Sequence, residues 1–296
     1  MLHKKQLIKK SYDIGRDGLT QSLISAWCDC PQRFVYKTER WEGFQRDTTN
    51  FGTMMHDALE KIYNITGRAP TRKDVDKFLE DQDDLNGMKA FVLLNEYLDI
   101  YKSDFTKKKF IDVEKVFDVY FNGVRLRGKF DGIFQAKDES MWIIEHKTKS
   151  QINEDDMLLK LSFDFQNQFY LLCAEKVYHK SFSGILYNVI RNPTHKQGAK
   201  ENKVDFQKRL QKEVAGNPEH FFKRFEVPYT KKQLTVFKEE LTNKIESIKR
   251  RIVYRNQGAC SSPFRCSFLN ACGTGKMTGY TQTKDLFSEI KEVKVD

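Results

Sequence analysis

The segment Gly128–Phe134 carries Asp131, a polar turn follows at Ala136–Ser140, and Trp142–Thr148 carries Glu145, His146 and Lys147. A hairpin folded symmetrically about Asp138 sets Asp131 opposite Glu145. Directly opposed strand side chains have Cβ atoms about 4.5–5.5 Å apart, and like charges there are destabilising. A divalent cation shared by both carboxylates is the natural compensation. The two-residue period of a strand puts Lys147 on the face of Glu145, so an ammonium stands alongside. Mg²⁺ suits such a site, because it is hard and binds through one or two carboxylates, several waters and a substrate phosphate. A cation held there would polarise a phosphoryl oxygen and ready a water for in-line attack. Lys147 would orient that water or stabilise charge developing on phosphorus. As plain structure, the same three residues make an exposed salt-bridged triad, and a one-residue slip would part the carboxylates.

The elements that must position this hairpin follow from periodicity. The first 110 or so residues read mostly as helix. Thr20 or Ser22 caps a helix through Ile24 and Trp27; a second runs from about Gly52 to Ile65, with Met55, Leu59 and Ile62 on one face. Thr71 caps a short helix through Phe78, and another carries Phe91, Leu94, Tyr97 and Leu98. The pattern then turns to strand. Val113–Phe121 is followed by Asn122-Gly123, a strong two-residue hairpin signal, then by Val124–Phe134 and Met141–Thr148, giving a three-stranded antiparallel meander. A long helix is expected from about Asp155 to Tyr178, a strand at Phe182–Val189, a polar loop at Pro193–Lys203, and a charged helix capped by Thr230. The fold class is α/β: a central mixed sheet, containing the antiparallel meander, flanked by helices. Three parts are expected: a helical 1–110, a core of 111–192 and a C-terminal 193–296, together forming one compact domain.

Composition narrows the function. The 296 residues are 39% hydrophobic and 31% charged, which fits a globular protein. No run approaches the roughly 18–20 apolar residues of a membrane span, and MLHKKQLIKK lacks the apolar stretch of a cleaved signal peptide. A cytoplasmic location follows as the expectation, the host cytoplasm if the chain is virus-encoded. Lys plus Arg number 51 against 41 Asp plus Glu, a net charge of +10 that favours a polyanionic partner, nucleic acid first. Lys4, Lys5, Lys9, Lys10, Lys107–Lys109, Lys147, Lys149, Lys249, Arg250 and Arg251 are the basic candidates for phosphate contacts. Six cysteines without an export signal are expected as metal ligands or core thiols, and their clustering at Cys28 and Cys30 and at Cys260, Cys266 and Cys272 is uneven.

Asp131 followed after a short hairpin by Glu145-His146-Lys147 resembles the D…(D/E)-x-K motif of the PD-(D/E)XK nuclease superfamily, and the RecB-like exonuclease branch, which includes the CRISPR-adaptation nucleases, fits best. Gly52-Thr53-Met54-Met55-His56 is similar to that branch's G-x-x-x-H stretch, in which a helical histidine ligates metal. Gln166-x-x-x-Tyr170 is similar to its Q-x-x-x-Y pair, whose members share a helix edge and position the phosphate or a metal-bound water. The resemblance implies a restriction-endonuclease-like core with Mg²⁺ or Mn²⁺ at His56, Asp131, Glu145 and the His146 carbonyl. It makes Asp131, Glu145, Lys147, Gln166 and Tyr170 the catalytic set.

Ser22 followed by Cys30-Pro31, Phe34 and Tyr36 resembles the branch's N-terminal S…C-P…F/Y segment. Some members hold a [4Fe–4S] cluster with that cysteine and three near the C-terminus, which here are Cys260, Cys266 and Cys272. The interval Cys260-x5-Cys266 is three residues longer than the family's usual C-x2-C, so Cys28 stands as a substitute ligand for Cys260. Structural Zn²⁺ is the alternative to the cluster. The implied activity is a metal-dependent DNA exonuclease without sequence specificity, acting in repair, recombination or replication. Its substrate would be single-stranded DNA or free ends, with a helicase or recombination protein as partner. The alternatives are a structure-selective endonuclease with the same centre and a non-catalytic DNA-binding subunit that keeps the fold.

Overall fold

The computed structural model describes residues 11–42, 47–82, 84–152, 154–261, 265–287 and 290. Lys4, Lys5, Lys9 and Lys10 lie outside them. No described helix is long and apolar enough to cross a membrane. Eight strands are described: β1 (Leu19–Thr20), β2 (Trp41–Glu42), β3 (Lys109–Phe121), β4 (Val124–Gln135), β5 (Met141–Lys149), β6 (Gly184–Arg191), β7 (Phe222–Pro228) and β8 (Thr281–Gln282). The chain forms two compact units, one from 1–45, 116–128 and 235–296, the other from 46–115 and 129–234.

The second unit is built on the mixed sheet. β4 pairs antiparallel with β5, β5 runs parallel to β6, and β6 pairs antiparallel with β7. The β4–β5 register runs from Gln135·Met141 to Gly132·Ile144, which is the register about Asp138 that the polar turn dictates. One face of this sheet packs on the helices Asp47–Tyr63, Leu85–Ile100 and Lys203–Gly216, through Met55, Leu59, Ile62, Leu94 and Tyr97 against Phe134, Ile144, Leu186 and Ile190. These helices form because their apolar residues recur every three or four positions, and burying that stripe is what stabilises them. The helix Phe165–Tyr178 meets β6 and buries Phe169, Leu172 and Cys173.

In the first unit β1 runs parallel to β4 at Leu126 and Arg127, and β2 pairs antiparallel with β8. The Asn122-Gly123 link between β3 and β4 has φ values of 48° and 75°, as the left-handed pair of a type I′ turn requires. Thr20 caps the helix Gln21–Asp29 by accepting from the Leu23 amide at 3.3 Å. A satellite core gathers Phe268, Ala271 and Tyr280 with Tyr36, Trp41 and Cys266 around them.

Two features depart from the sequence pattern. The expected helix 155–178 is two helices, Met157–Ser162 and Phe165–Tyr178. Asp164 ends the first and opens the second, its side chain accepting from the Asn167 amide at 2.9 Å. An aspartate satisfies an orphan amide at a helix start better than it propagates a helix. The helix Lys203–Gly216 and strand β7 were not expected at all; β7 shows no clean alternation of burial.

A buried polar relay crosses the second unit behind the sheet. Arg224 of β7 grips Asp104 with both guanidinium ends, at 2.9 and 2.6 Å, and donates to the Tyr97 hydroxyl at 2.7 Å. The Tyr63 hydroxyl also donates to Asp104, at 2.7 Å. Burial opposes the Asp104 charge, but Arg224 and Lys108 outweigh it and hold its carboxyl below the ordinary range. We predict that Arg224→Leu costs about 3–5 kcal/mol in urea unfolding, because it strands Asp104 without its main counter-ion. In the unaltered protein, the stability Asp104 contributes is present above about pH 4 and lost as the pH falls through the depressed native value. Urea midpoints that do not change with the variant would sink this account.

Candidate active site

The β4–β5 ladder ends at Gly132·Ile144, and the next residues along are Asp131 and Glu145. Instead of continuing the ladder, Asp131 uses its carboxylate: Oδ2 accepts the His146 backbone amide at 2.7 Å. Asp131 thereby bridges the point where the two strands part. Gly132 makes the close approach possible, since a Cβ there would stand 2.7 Å from the Ile144 side chain.

Glu145 is buried, 2% exposed. Its Oε1 accepts from Lys147 Nζ and from Gln166 Nε2, the latter at 2.8 Å. Gln166 Oε1 in turn accepts from Lys147 at 3.1 Å. Gln166 reaches them because Asp164 starts its helix anew, which places Gln166 in the first turn. The other oxygen, Glu145 Oε2, is buried with no hydrogen-bond partner among the described residues. An orphaned carboxylate oxygen of this kind is costly unless something fills the position.

The electrostatics point the same way. Burial, and then the neighbouring Asp131, pushes the Glu145 carboxyl up to about 7. Burial raises Asp131 to about 6, although Lys147 and the His146 amide pull it down. Lys147 is shifted upward: burial opposes its charge, but Glu145 and Asp131 outweigh it. One ammonium does not satisfy two buried carboxylates, and the site is short of positive charge.

His56, on the helix Asp47–Tyr63, stands with Nδ1 3.7 Å from Asp131 Oδ2. Burial and Lys147 lower its pKa, so it presents a neutral imidazole suited to ligation. The structure adds a residue that the sequence reading missed. Glu114 of β3 has an oxygen within 4.8 Å of ligand atoms of both His56 and Asp131. Glu114 has φ 51°, and the in–out burial of β3 is interrupted around it, so a local bulge aims the carboxylate at the site. Lys129 of β4 pairs with it. The only hint in the sequence is an acidic residue among the apolar ones that begin the strand.

The remaining expected residues divide as follows. Tyr170, one turn beyond Gln166, packs edge-on against Phe130 at 5.6 Å between ring centroids. His146 places its ring against Tyr63, at 5.3 Å between centroids. Its Nδ1 lies 2.9 Å from Asn188 Nδ2, while Asn188 Oδ1 accepts from Arg224 Nε at 2.8 Å. Because Oδ1 accepts the arginine N–H hydrogen bond, the amide nitrogen donates to Nδ1, and the imidazole carries its proton on Nε2. The relay from Asp104 thus ends on the residue between Glu145 and Lys147.

In the first unit, Cys30, Cys260, Cys266 and Cys272 line one cavity of about 200 Å³ together with Arg33, Tyr36 and Arg255. Cys30 Sγ accepts the Asn256 amide at 3.4 Å, and Cys272 Sγ lies 3.8 Å from the Tyr36 hydroxyl. Cys28 is exposed and is not part of the lining. Cys173 is buried in the helix Phe165–Tyr178.

No curated protein matches the sequence. Among solved structures, one described as the crystal structure of SSO0001 aligns at 14% identity with a TM-score of 0.31, covering 77% of this chain and 97% of that one. The sequence profile described as PD-(D/E)XK nuclease superfamily matches residues 18–273, a span that contains Asp131, Glu145 and Lys147 as well as His56 and Gln166. The chain therefore belongs to the PD-(D/E)XK nuclease superfamily, whose members hydrolyse phosphodiester bonds with divalent metal ions.

Proposed function

We propose that this protein is a metal-dependent DNA exonuclease of the RecB-like type, similar to the CRISPR-adaptation nucleases, which hydrolyses phosphodiesters without reading sequence. The observation that carries the reading is the incompletely compensated carboxylate pair. Burial pushes the Asp131 and Glu145 carboxyls well above the ordinary range, and Glu145 Oε2 is buried without a partner among the described residues. A divalent cation would satisfy all three features. Asp131, Glu145, His56 and the His146 carbonyl are the proposed ligands, with Glu114 able to join from β3. When bound, Mg²⁺ or Mn²⁺ supplies Lewis-acid stabilisation of phosphoryl charge and an acidified water.

The chain's own residues do the rest. Lys147 remains protonated and is aimed by Glu145 and Gln166, so it can hold the attacking water or meet charge developing on the scissile phosphate. Gln166 ties the lysine to the glutamate, and Tyr170 follows one turn along the same helix to assist at that edge. Among the described residues at the site none is set up as a nucleophile, and direct attack by water is the mechanism this reading takes. The excess of basic residues supports a phosphate-tracking, sequence-independent grip on DNA. A role in repair, recombination or replication, working with a helicase or recombination protein, fits that chemistry.

The four-cysteine cavity fits a [4Fe–4S] cluster better than Zn²⁺. A tetrahedral zinc with bonds of about 2.3 Å draws its sulfurs to about 3.8 Å apart. Among the described residues, no three of these sulfurs lie within 4.8 Å of one another, and a cavity separates them. Arg33 and Arg255 on the lining would offset the charge of the cluster and its thiolates. The cluster would join Cys30 to the cysteines near the C-terminus and act as a structural staple.

Three outcomes test this. Asp131→Asn relieves repulsion and should raise the Tm of the metal-free protein by roughly 2–4 °C per kcal/mol gained, while removing the further rise that Mn²⁺ gives the unaltered protein. An undiminished Mn²⁺ response would exclude Asp131 as a ligand. Lys147→Ala should abolish cleavage of linear single-stranded DNA and keep DNA binding; closed circular single-stranded DNA should survive the unaltered enzyme, and its cutting would turn the reading to an endonuclease. Cys266→Ala should bleach the visible sulfur-to-iron absorbance of anaerobically purified protein and lower its stability. A variant that keeps colour and Tm would refute the staple.

A further inference from the structure

Beyond Lys147, the same face of the sheet continues with two more cations. Lys149 lies two residues further along β5, and the parallel register sets it beside Arg191 of β6. Registered neighbours in a sheet share a face, so both side chains leave on the side of Glu145 and Lys147. Two contacts support that assignment. On the opposite face His146 bonds its registered neighbour Asn188. On this face Lys149 Nζ stands 5.3 Å from the centroid of Tyr187, the residue registered with Glu145.

Among the described residues neither cation has a carboxylate at ion-pair distance, and Arg191 Nε is buried with no hydrogen-bond partner. Burial, and then Lys147, depresses the Lys149 pKa, with Asp164 opposing only in part. Like charges brought together away from water are unfavourable until an anion joins them. The carboxyl end of adjacent parallel strands is also where open α/β sheets receive ligands. Lys149 is about 6.6 Å along the strand from Lys147, on the scale of one nucleotide step.

We propose that Lys149 and Arg191 form a phosphate subsite that holds the diester neighbouring the scissile one on the substrate strand. The proposal rests on the nuclease reading and extends it: Lys147 serves the reacting phosphate, and the Lys149–Arg191 pair sets the register of the strand. Arg191 contributes a planar fork suited to two phosphate oxygens, and Lys149 a compact charge.

The test has two arms. In EDTA, where no hydrolysis occurs, binding of a fluorescein-labelled oligothymidylate is followed by anisotropy across a salt series. Lys149→Gln and Arg191→Gln should each reduce the slope of log K against log salt by about 0.7, and the double variant by about 1.4. Arg191→Lys keeps the charge and should keep the slope; a slope lost there as well would mark a folding defect and overturn the subsite. With Mn²⁺, the KM for the oligonucleotide should rise about tenfold relative to that for thymidine 5′-(p-nitrophenyl phosphate), which has one diester and no neighbour. Unchanged salt slopes, or equal losses on both substrates, would overturn the proposal. If the unaltered protein turns over neither substrate while the EDTA slopes still change, the nuclease reading fails and the phosphate contact stands.

Discussion

Two carboxylates kept out of water at the point where β4 and β5 part govern the second unit of this protein. Each is dear to ionise: Asp131 adds to the burial cost of Glu145, and Glu114 adds to that of Asp131. A sheet that served stability alone would carry apolar residues there. Every neighbouring feature can be understood as a partial answer to that charge: the His146 amide on Asp131, the Lys147 ammonium and Gln166 amide on Glu145, and the neutral His56 at the rim. The answers are incomplete by one buried oxygen. That oxygen and the raised carboxyls leave a position that a cation would satisfy.

The support behind that centre is as informative as its front. His146 lies between the glutamate and the lysine, and its ring is locked by Asn188, which is locked by Arg224, which is held by Asp104 and two tyrosines. A buried hydrogen-bonded network resists rotation of any one member, because each move would orphan another. Packing on one face and hydrogen bonds through the strand thus fix the backbone that presents Glu145 and Lys147. Preorganisation of this sort is what lets a few side chains act on a phosphodiester without first being ordered.

The first unit solves a different problem. Its satellite core is small, with Phe268, Ala271 and Tyr280 as its buried centre, and four cysteines meet around a cavity beside it. That satellite adds to the larger set of buried side chains in this unit, among them Leu23, Trp27, Phe237 and Leu241, and the proposed cluster would tie it further. Cys30 and Cys260 are far apart in sequence, so the proposed cluster would close a long loop and restrict the unfolded chain.

Much of the second unit was legible because its signals are local. Turn chemistry at Ala136–Ser140 sets the hairpin register, and that register with a two-residue period places Asp131, Glu145 and Lys147 together. The three-and-four spacing of Met55, Leu59 and Ile62 gives the helix that carries His56. What the residues alone could not decide depends on partners distant along the chain. Glu114 enters the site through a backbone bulge, and no residue type announces a bulge. Gln166 reaches Glu145 only because Asp164 capped a new helix where propensity allowed one long one. Arg224 met Asp104 across 120 positions, and the Lys149–Arg191 pair exists only in the parallel register of β5 and β6. Short-range order is written in spacing and turn type, whereas those contacts are chosen by which surfaces bury one another, a property of the folded chain as a whole.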